Sequence, residues 1–365
     1  MTEDLAAARL WLSRIHELPI REPISVMNVC GGHERSLTML GLRAVLPETV
    51  KLIPGPGCPV CVCPEEDIAD AIAISMSGNV TLVAFGDMLR VPMNAPKGEI
   101  NTLALARAGG ADVRPISSPQ EAVAIAMEQP ERQVVFFVAG FETTTAPVAA
   151  MLAQGVPNNL SVLLAARLTW PAVNMLLQDP EAALDALIAP GHVATVMGAE
   201  EWRFIADIYH LPVAVAGFTA VSLLAALYSV LRQKLENRPF LDNCYPELVQ
   251  PHGNPRARRW LDEVLEVVPA NWRGIGVIPA SGFGLRGVWQ RYDAHQRFEI
   301  LASPRKRMGE MPPGCDCAAV VLGKRTPEQC RLYGKGCTPP HPVGPCMVSD
   351  EGACHIWWRA GLRAA

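Results

Sequence analysis

The sequence predicts an α/β protein built on parallel sheets, with a cysteine-rich tail ordered by something other than an apolar core. Three observations carry that expectation. Short apolar runs such as VTLVAFG (80–86), VVFFVAG (134–140) and LSVLLAA (160–166) alternate with stretches of helical spacing, the pattern of strand–helix–strand layers. An apolar strand ending in glycine and a short polar or aromatic step recurs as AFGD, VAGFE and VAGFT, which suggests two similar halves. Six of the eleven cysteines crowd into the tail, at 315, 317, 330, 337, 346 and 354, among Gly, Pro and charge. There, ligation of a metal or cluster can supply folding energy that apolar packing does not.

Taken in order, residues 4–18 have helical spacing (Leu5, Ala8, Leu12, Ile15), and Pro19 stops them. ISVMNV (24–29) reads as a buried strand delivering Cys30, with Gly31 and Gly32 free to turn. A helix over 36–46 and a strand at 50–53 lead into the Gly/Pro loop with Cys58 and Cys61. Pro64 suits a first helical position, and Glu65, Glu66 and Asp67 then fall where the helix dipole favours anions. Ser118-Pro119-Gln120-Glu121 has capping-box spacing and opens a helix to about 128. After the runs at 134–140 and 160–166, further strand units are expected at HVATVMG (192–198) and PVAVAGF (212–218). Residues 238–258 read as a linker or long loop, and GIGVIPASGFGL (274–285) as the join to the tail.

Composition narrows the function. Half of the 365 residues are apolar and the formal net charge is −4. No basic stripe with interleaved aromatics is present, so nucleic acid is not an expected partner. The long apolar run 213–231 contains Gly217, Thr219 and Ser222 and reads as strand, turn and buried helix, not as a membrane span. The N-terminus carries acids where a secretory signal would carry lysines. A cytoplasmic setting is therefore expected, where thiols stay reduced and clustered cysteines point to metal or redox chemistry.

In parallel sheets ligands bind beyond the carboxyl ends of strands. Cys30, Cys58, Cys61, Asp87 and Glu142 all fall just after expected strands, which points to a common cleft, with His192, at the start of the run 192–198, as a further candidate for it. The CPVC pair can close a disulfide or chelate a soft metal, and a following helix N-terminus favours thiolate. His33, three residues after Cys30, is either a ligand or proton carrier, or a helix-start histidine bonded to backbone. Asp87 and Glu142 have the alternative of ordinary helix caps. Cys63 reads as a loop residue and Cys244 as structural. In the tail, four soft thiolates suffice for an iron–sulfur cluster, and the long spacings favour a cluster over a zinc ribbon. Glu351, three residues before Cys354, is placed to reach whatever the tail covers.

The motifs VCGGHE (29–34), GPGCPVCV (55–62), FGDMLRVP (85–92), GFETT (140–144), APGHV (189–193) and CTPPHPVGPCMVSDEGAC (337–354) resemble those of HypD-type hydrogenase maturation factors, nearly end to end. That resemblance implies help in assembling the Fe(CN)2CO group of [NiFe] hydrogenases. The implied partners are a small HypC-type chaperone, a HypE-type cyanide donor and, indirectly, the hydrogenase large subunit. It implies two similar parallel-sheet α/β domains plus a small cysteine-rich iron–sulfur domain. The divisions are 1–130 with CGGH and CxxC, 131–270 with GFETT, and 271–365 with a [4Fe-4S] cluster. It further implies Cys30 as the iron-binding thiolate, the iron being transient cargo, and Cys58 and Cys61 as a redox pair supplied with electrons from the cluster. His33, Asp87, His192 and Glu351 are implied to line the assembly cleft, with Glu142 beside it. Cys317, Cys330, Cys337 and Cys354 are the implied cluster ligands, with Cys346 in reserve and Cys315 as a nearby thiol.

Three positions depart from the family pattern: Arg35 replaces a second histidine, Cys63 a non-cysteine, and Ala318 a glycine. Two other readings use the same cysteines. One is an iron–sulfur thiol–disulfide oxidoreductase without an iron-assembly role, which has no need of Cys30. The other is a zinc-stabilised interaction module.

Overall fold

Apolar runs lacking a period of two become strands covered on both faces. In β5 (Gln133–Gly140) every residue from Val134 onward is buried, and in β7 (Ala186–Pro190) all are. The computed structural model describes residues 2–298 and 311–362. The other strands are β1 (Ile24–Asn28), β2 (Val50–Pro54), β3 (Val80–Phe85), β4 (Asp112–Ile116), β6 (Leu160–Ala166), β8 (Val213–Ala216), β9 (Leu241–Asn243), β10 (Leu265–Trp272) and β11 (Gly276–Leu285).

They form two parallel sheets, a five-stranded one ordered β2-β1-β7-β8-β9 and a four-stranded one ordered β4-β3-β5-β6. β10 and β11 pair antiparallel as a separate hairpin. The expected α/β class with two parallel-sheet domains and a cysteine-rich end is what the chain adopts. The sheets are nested: all four strands of the second lie in sequence between β2 and β7 of the first. A cut at residue 130 would pass through the second sheet, because β5 pairs with β3 (Leu82 opposite Val135).

Several local expectations are corrected. Residues 192–198 form no strand. The strand is β7, ending in Pro190, and Gly191–Met197 is a helix. The expected 36–46 helix is two pieces, Gly31–Met39 and Leu42–Val45, broken at Gly41, whose φ of 66° is left-handed. The 238–258 linker contains β9 and leads into the helix Pro255–Val264, capped by the Asn254 side chain. Residues 274–285 are not a join but mostly β11. Pro64 is the residue before the helix Glu65–Ser75, not its first turn. The capping box at Ser118 is displaced by one residue: Glu121 accepts from the Ser117 N–H at 3.1 Å. Run 213–231 divides as expected into β8, a turn at 217–219, and the helix Ala220–Leu235. Leu223, Leu224, Leu227 and Leu231 are buried along that helix. Each contributes about 1.5–3 kcal/mol of apolar burial.

The hairpin β10–β11 fixes the start of the helix Glu65–Ser75. Arg273 grips Glu65, the Asn271 amide donates to Glu66 at 2.6 Å, and Arg167 pairs with Asp67 at 3.3 Å. The Arg273 N–H also donates to the Val62 carbonyl at 3.0 Å. Three consecutive acids are thus held by separate partners, which anchors the loop carrying Cys58 and Cys61. Among the described residues no helix is long and apolar enough to cross a membrane.

Candidate functional site

Two loops leave the carboxyl ends of the adjacent strands β1 and β2 and meet. The Gly55 N–H donates to the Asn28 carbonyl at 2.9 Å, and the Gly31 N–H to the Gly57 carbonyl at 3.1 Å. Cys30 stands at the N-terminus of the helix Gly31–Met39, and Cys58 at that of the short helix Pro59–Val62. Cys58 and Cys61 are joined by a disulfide with Cα atoms 5.3 Å apart, and the Cys61 N–H points at the Cys58 sulfur from 3.2 Å. The tail closes over this pair of loops. A narrow cleft is walled by Cys30, Glu34, Cys58, Cys61, Cys346 and Glu351, with about 10 Å³ of free space. That is room for about one water molecule. The Glu351 backbone lies so close to Gly31 that a Cβ there would sit 2.4 Å from the Glu351 carbonyl oxygen.

The electrostatics of the cleft favour neutral groups. Burial pushes the Cys30 thiol up to about 12; the His33 and Gly32 N–H groups oppose this, while the Glu351 charge adds to it. Glu351 is itself pushed up, first by burial and then by Asp87, with Arg35 pulling the other way. Arg35 is therefore a counter-charge to Glu351.

The remaining expected residues divide. Asp87, after β3, does not wall the narrow cleft, but its carboxylate accepts the Asp350 N–H at 3.3 Å, next to Glu351. His192, after β7, is exposed and stacks on Phe218 with centroids 3.7 Å apart. The Phe218 ring lies 2.9 Å from where a Cβ of Gly32 would be, so Phe218 stands between His192 and the Cys30 loop. His33 does not face the cleft. It is fully buried, its Nε2 donates to the Ala216 carbonyl at 2.9 Å, and its Nδ1 lies 3.1 Å from Asn28 Oδ1. Burial lowers it to about 3, so it is a neutral bolt between β1 and β8. Glu142 sits at the carboxyl end of β5, also outside the cleft, and is fully buried. Its two oxygens accept the Thr169 N–H and hydroxyl, each at 2.7 Å.

The six tail cysteines line a single pocket. Cys317 and Cys354 both hydrogen-bond to the Cys346 sulfur, so Cys346 gives up its proton most readily of the three. The Cys354 N–H also points at Cys346 Sγ from 3.4 Å, and the Val343 N–H at Cys337 Sγ from 3.3 Å. Backbone N–H groups aimed at sulfur favour thiolate, and six cysteines around one pocket offer more than the four thiolates an iron–sulfur cluster needs. Among the described residues no group of three or more His, Cys, Asp or Glu is disposed to hold a single metal ion. Cys346, expected only in reserve, walls both this pocket and the Cys30 cleft.

The sequence did not single out Asn28, Glu34, Arg43, Phe218 or Trp357. Glu34 lies inside the VCGGHE motif, and that was its one signal. Asn28 and Arg43 join it through bonds to Glu34 six and nine residues away, whereas Phe218 and Trp357 reach it only across long stretches of chain.

Known proteins resemble this chain over nearly its whole length. The family described as HypD, hydrogenase formation hypA family, matches residues 6–361. The chain is similar to the hydrogenase maturation factor HypD of Rhodobacter capsulatus, 39% identical over 349 residues, covering 94% of this chain and 91% of that protein. It is 38% identical over 368 residues to that of Azotobacter vinelandii, covering 98% and 95%. It is 38% identical over 346 residues to that of Escherichia coli K12, covering 92% and 89%.

Proposed function

This chain belongs to the HypD family of hydrogenase maturation factors, and from that premise we propose that it is a scaffold for building the Fe(CN)2CO group of [NiFe] hydrogenases. The iron is cargo. Cys30 supplies one thiolate, a small HypC-type chaperone supplies a second, and a HypE-type protein delivers cyanide. The observation that carries this reading is the shared cleft of Cys30, the Cys58–Cys61 disulfide and Glu351.

Thiolate, not thiol, binds iron. With the Cys30 thiol pushed up to about 12, binding at neutral pH must expel its proton, and metal affinity rises with pH. Glu351 is the cleft's nearest charged neighbour able to take that proton. The free space beside Cys30 holds about one water, so an iron bearing three diatomic ligands would sit at the mouth, where a partner completes its shell. Reduction of Cys58–Cys61 takes two electrons and two protons, and it frees two thiols beside Cys30. The donor chemistry of the tail pocket suits a [4Fe-4S] cluster, with Cys317, Cys330, Cys337, Cys354 and Cys346 as its candidate holders. When bound, such a cluster supplies one-electron transfer.

The disulfide itself favours a second reading, a thiol–disulfide oxidoreductase. Against it, Cys58 and Cys61 are only 4% and 2% exposed, which leaves no approach for a protein disulfide. The test is anaerobic co-purification with the small chaperone, followed by iron analysis and infrared spectroscopy. The expected result is cyanide-stretch bands that vanish in Cys30→Ala. If those bands persist in the variant, the assignment is lost; if Cys30 proves dispensable while dithiol activity remains, the oxidoreductase stands.

A further inference from the structure

Glu34 is a buried carboxylate that the chemistry above does not use. It is 2% exposed, one residue beyond His33 on the helix that Cys30 opens. Its bonds run to three separate parts of the chain. Its backbone N–H donates to the Cys30 carbonyl at 3.0 Å. Arg43 Nη2 donates to both carboxylate oxygens, at 2.6 and 2.7 Å, while Arg43 Nη1 donates to the Leu52 carbonyl of β2 at 2.9 Å. The indole N–H of Trp357 donates to Glu34 Oε1 at 2.7 Å, across 323 residues of sequence. The Arg43 guanidinium also lies over the Trp357 ring, 5.0 Å from its centre.

Trp357 belongs to the helix Ala353–Arg359, as does Cys354 of the thiol pocket. The two are three residues apart, hence on neighbouring positions of one helical face. Gly352, which opens that helix, touches the Cys346 carbonyl closely enough that a Cβ would lie 2.2 Å from it. The Trp357–Glu34 bond is therefore a direct side-chain tie between the helix bearing Cys354 and the helix bearing Cys30. Its acceptor is also held by Arg43 and both side chains are buried, which makes it stronger than a solvent-exposed hydrogen bond.

We infer that Glu34 is a positioning residue: through Trp357 it makes the seat of the tail cysteines and the reach of Cys30 one mechanical unit. The inference rests on Cys30 being the iron thiolate. Glu34 touches neither iron nor disulfide and acts by holding the Cys30 helix against the tail. When the tail pocket fills or empties, the Ala353–Arg359 helix shifts, and Glu34 passes the shift to the cleft wall. Arg43, bonded to both carboxylate oxygens, keeps the carboxylate oriented whatever Trp357 does.

The test uses the full chain and reads the thiols directly. Trp357→Phe removes only the indole N–H and keeps a ring under Arg43. Alkylation of Cys30 by iodoacetamide is followed by mass spectrometry, with Cys244 as the control thiol, since it is partly buried like Cys30 and lines a different pocket. The expected result is Cys30 alkylation about tenfold faster than in the parent, in line with loss of a buried hydrogen bond, with Cys244 unchanged. A residue that merely stabilised the fold would speed both thiols alike, and that result overturns the proposal. So does a Cys30 rate within about twofold of the parent, on the same scale. If Trp357→Phe does not fold, Glu34→Gln carries the same expectation and the same overturning results. Because no iron enters the alkylation assay, a parent protein that never holds iron sinks the proposed function and leaves this inference to its own result.

Discussion

Gly57 and Cys30 are in backbone contact: a Cβ built on Gly57 would lie 2.4 Å from the Cys30 Cα and 2.5 Å from its nitrogen. Nothing there can swing aside, since both atoms are main chain. This contact sets the distance between the iron thiolate proposed at Cys30 and the disulfide at Cys58. Gly57→Ala is expected to cost about 1–3 kcal/mol by overpacking. It should also abolish iron retention at Cys30, even at temperatures where the variant stays folded. Denaturant unfolding followed by iron analysis checks both parts.

Cys63 is not a spare partner for Cys58. It is fully buried, and its charged neighbours are Asp67, Arg167, Arg273 and Glu66, on the side of the hairpin and not of the cleft. Burial pushes its thiol up, which removes the thiolate that exchange requires. In Cys61→Ala, alkylation under non-reducing conditions should therefore find Cys58 free. A Cys58–Cys63 cross-linked peptide would contradict this placement.

The tail pocket ranks its own cysteines. Cys346 is 2% exposed and bonded to two other thiols, whereas Cys315 is only partly buried. Cys346→Ala is expected to lower the iron and sulfide content of anaerobically purified protein well below that of Cys315→Ala. Equal contents in the two variants would return Cys346 to a reserve role.

Glu142 predicts a pH signature. Burial raises its carboxyl from 4.5 to about 7, although its two bonds from Thr169 oppose the shift. A raised acid keeps its proton in the folded state where the unfolded chain has lost it. Stability therefore declines as pH rises from about 4.5 to about 7 and levels off above. The penalty is on the order of 3 kcal/mol. Glu142→Gln, which cannot ionise, should flatten that slope in urea unfolding. Because Glu142 lies outside the cleft, Cys30 alkylation should stay as in the parent.

Ala280 carries a φ of 52° on the exposed hairpin strand β11, where the pairing register shifts between Val268 and Ala270. A left-handed alanine costs roughly 1–2 kcal/mol, partly offset by the greater entropy glycine loses on folding. Ala280→Gly is expected to stabilise by about 0.5–1 kcal/mol, read as a higher urea midpoint at constant slope.

Much of the scaffold was legible because strand burial writes itself into sequence. Runs such as Leu160–Ala166 are apolar throughout, and such a run has few places to go except the middle of a sheet. Cys30, Cys58 and Cys61 were legible for a related reason: each follows an apolar run ending in glycine-rich chain, the address of a parallel-sheet site. The helix at 191–197 was misread because His192–Gly198 is as apolar as a strand, and a short apolar run does not declare its period.

By itself the sequence determined the α/β class, the cysteine pairings worth considering and the loop positions of the reactive thiols, because these follow from local composition and spacing. Only the tertiary structure decided that the second sheet is nested within the first, that His33 and Glu142 turn away from the cleft, and that Glu34 reaches Trp357. Those outcomes depend on which distant segments pack together. A buried polar atom must find its partner wherever the folded backbone presents one, and no window of neighbouring residues contains that information.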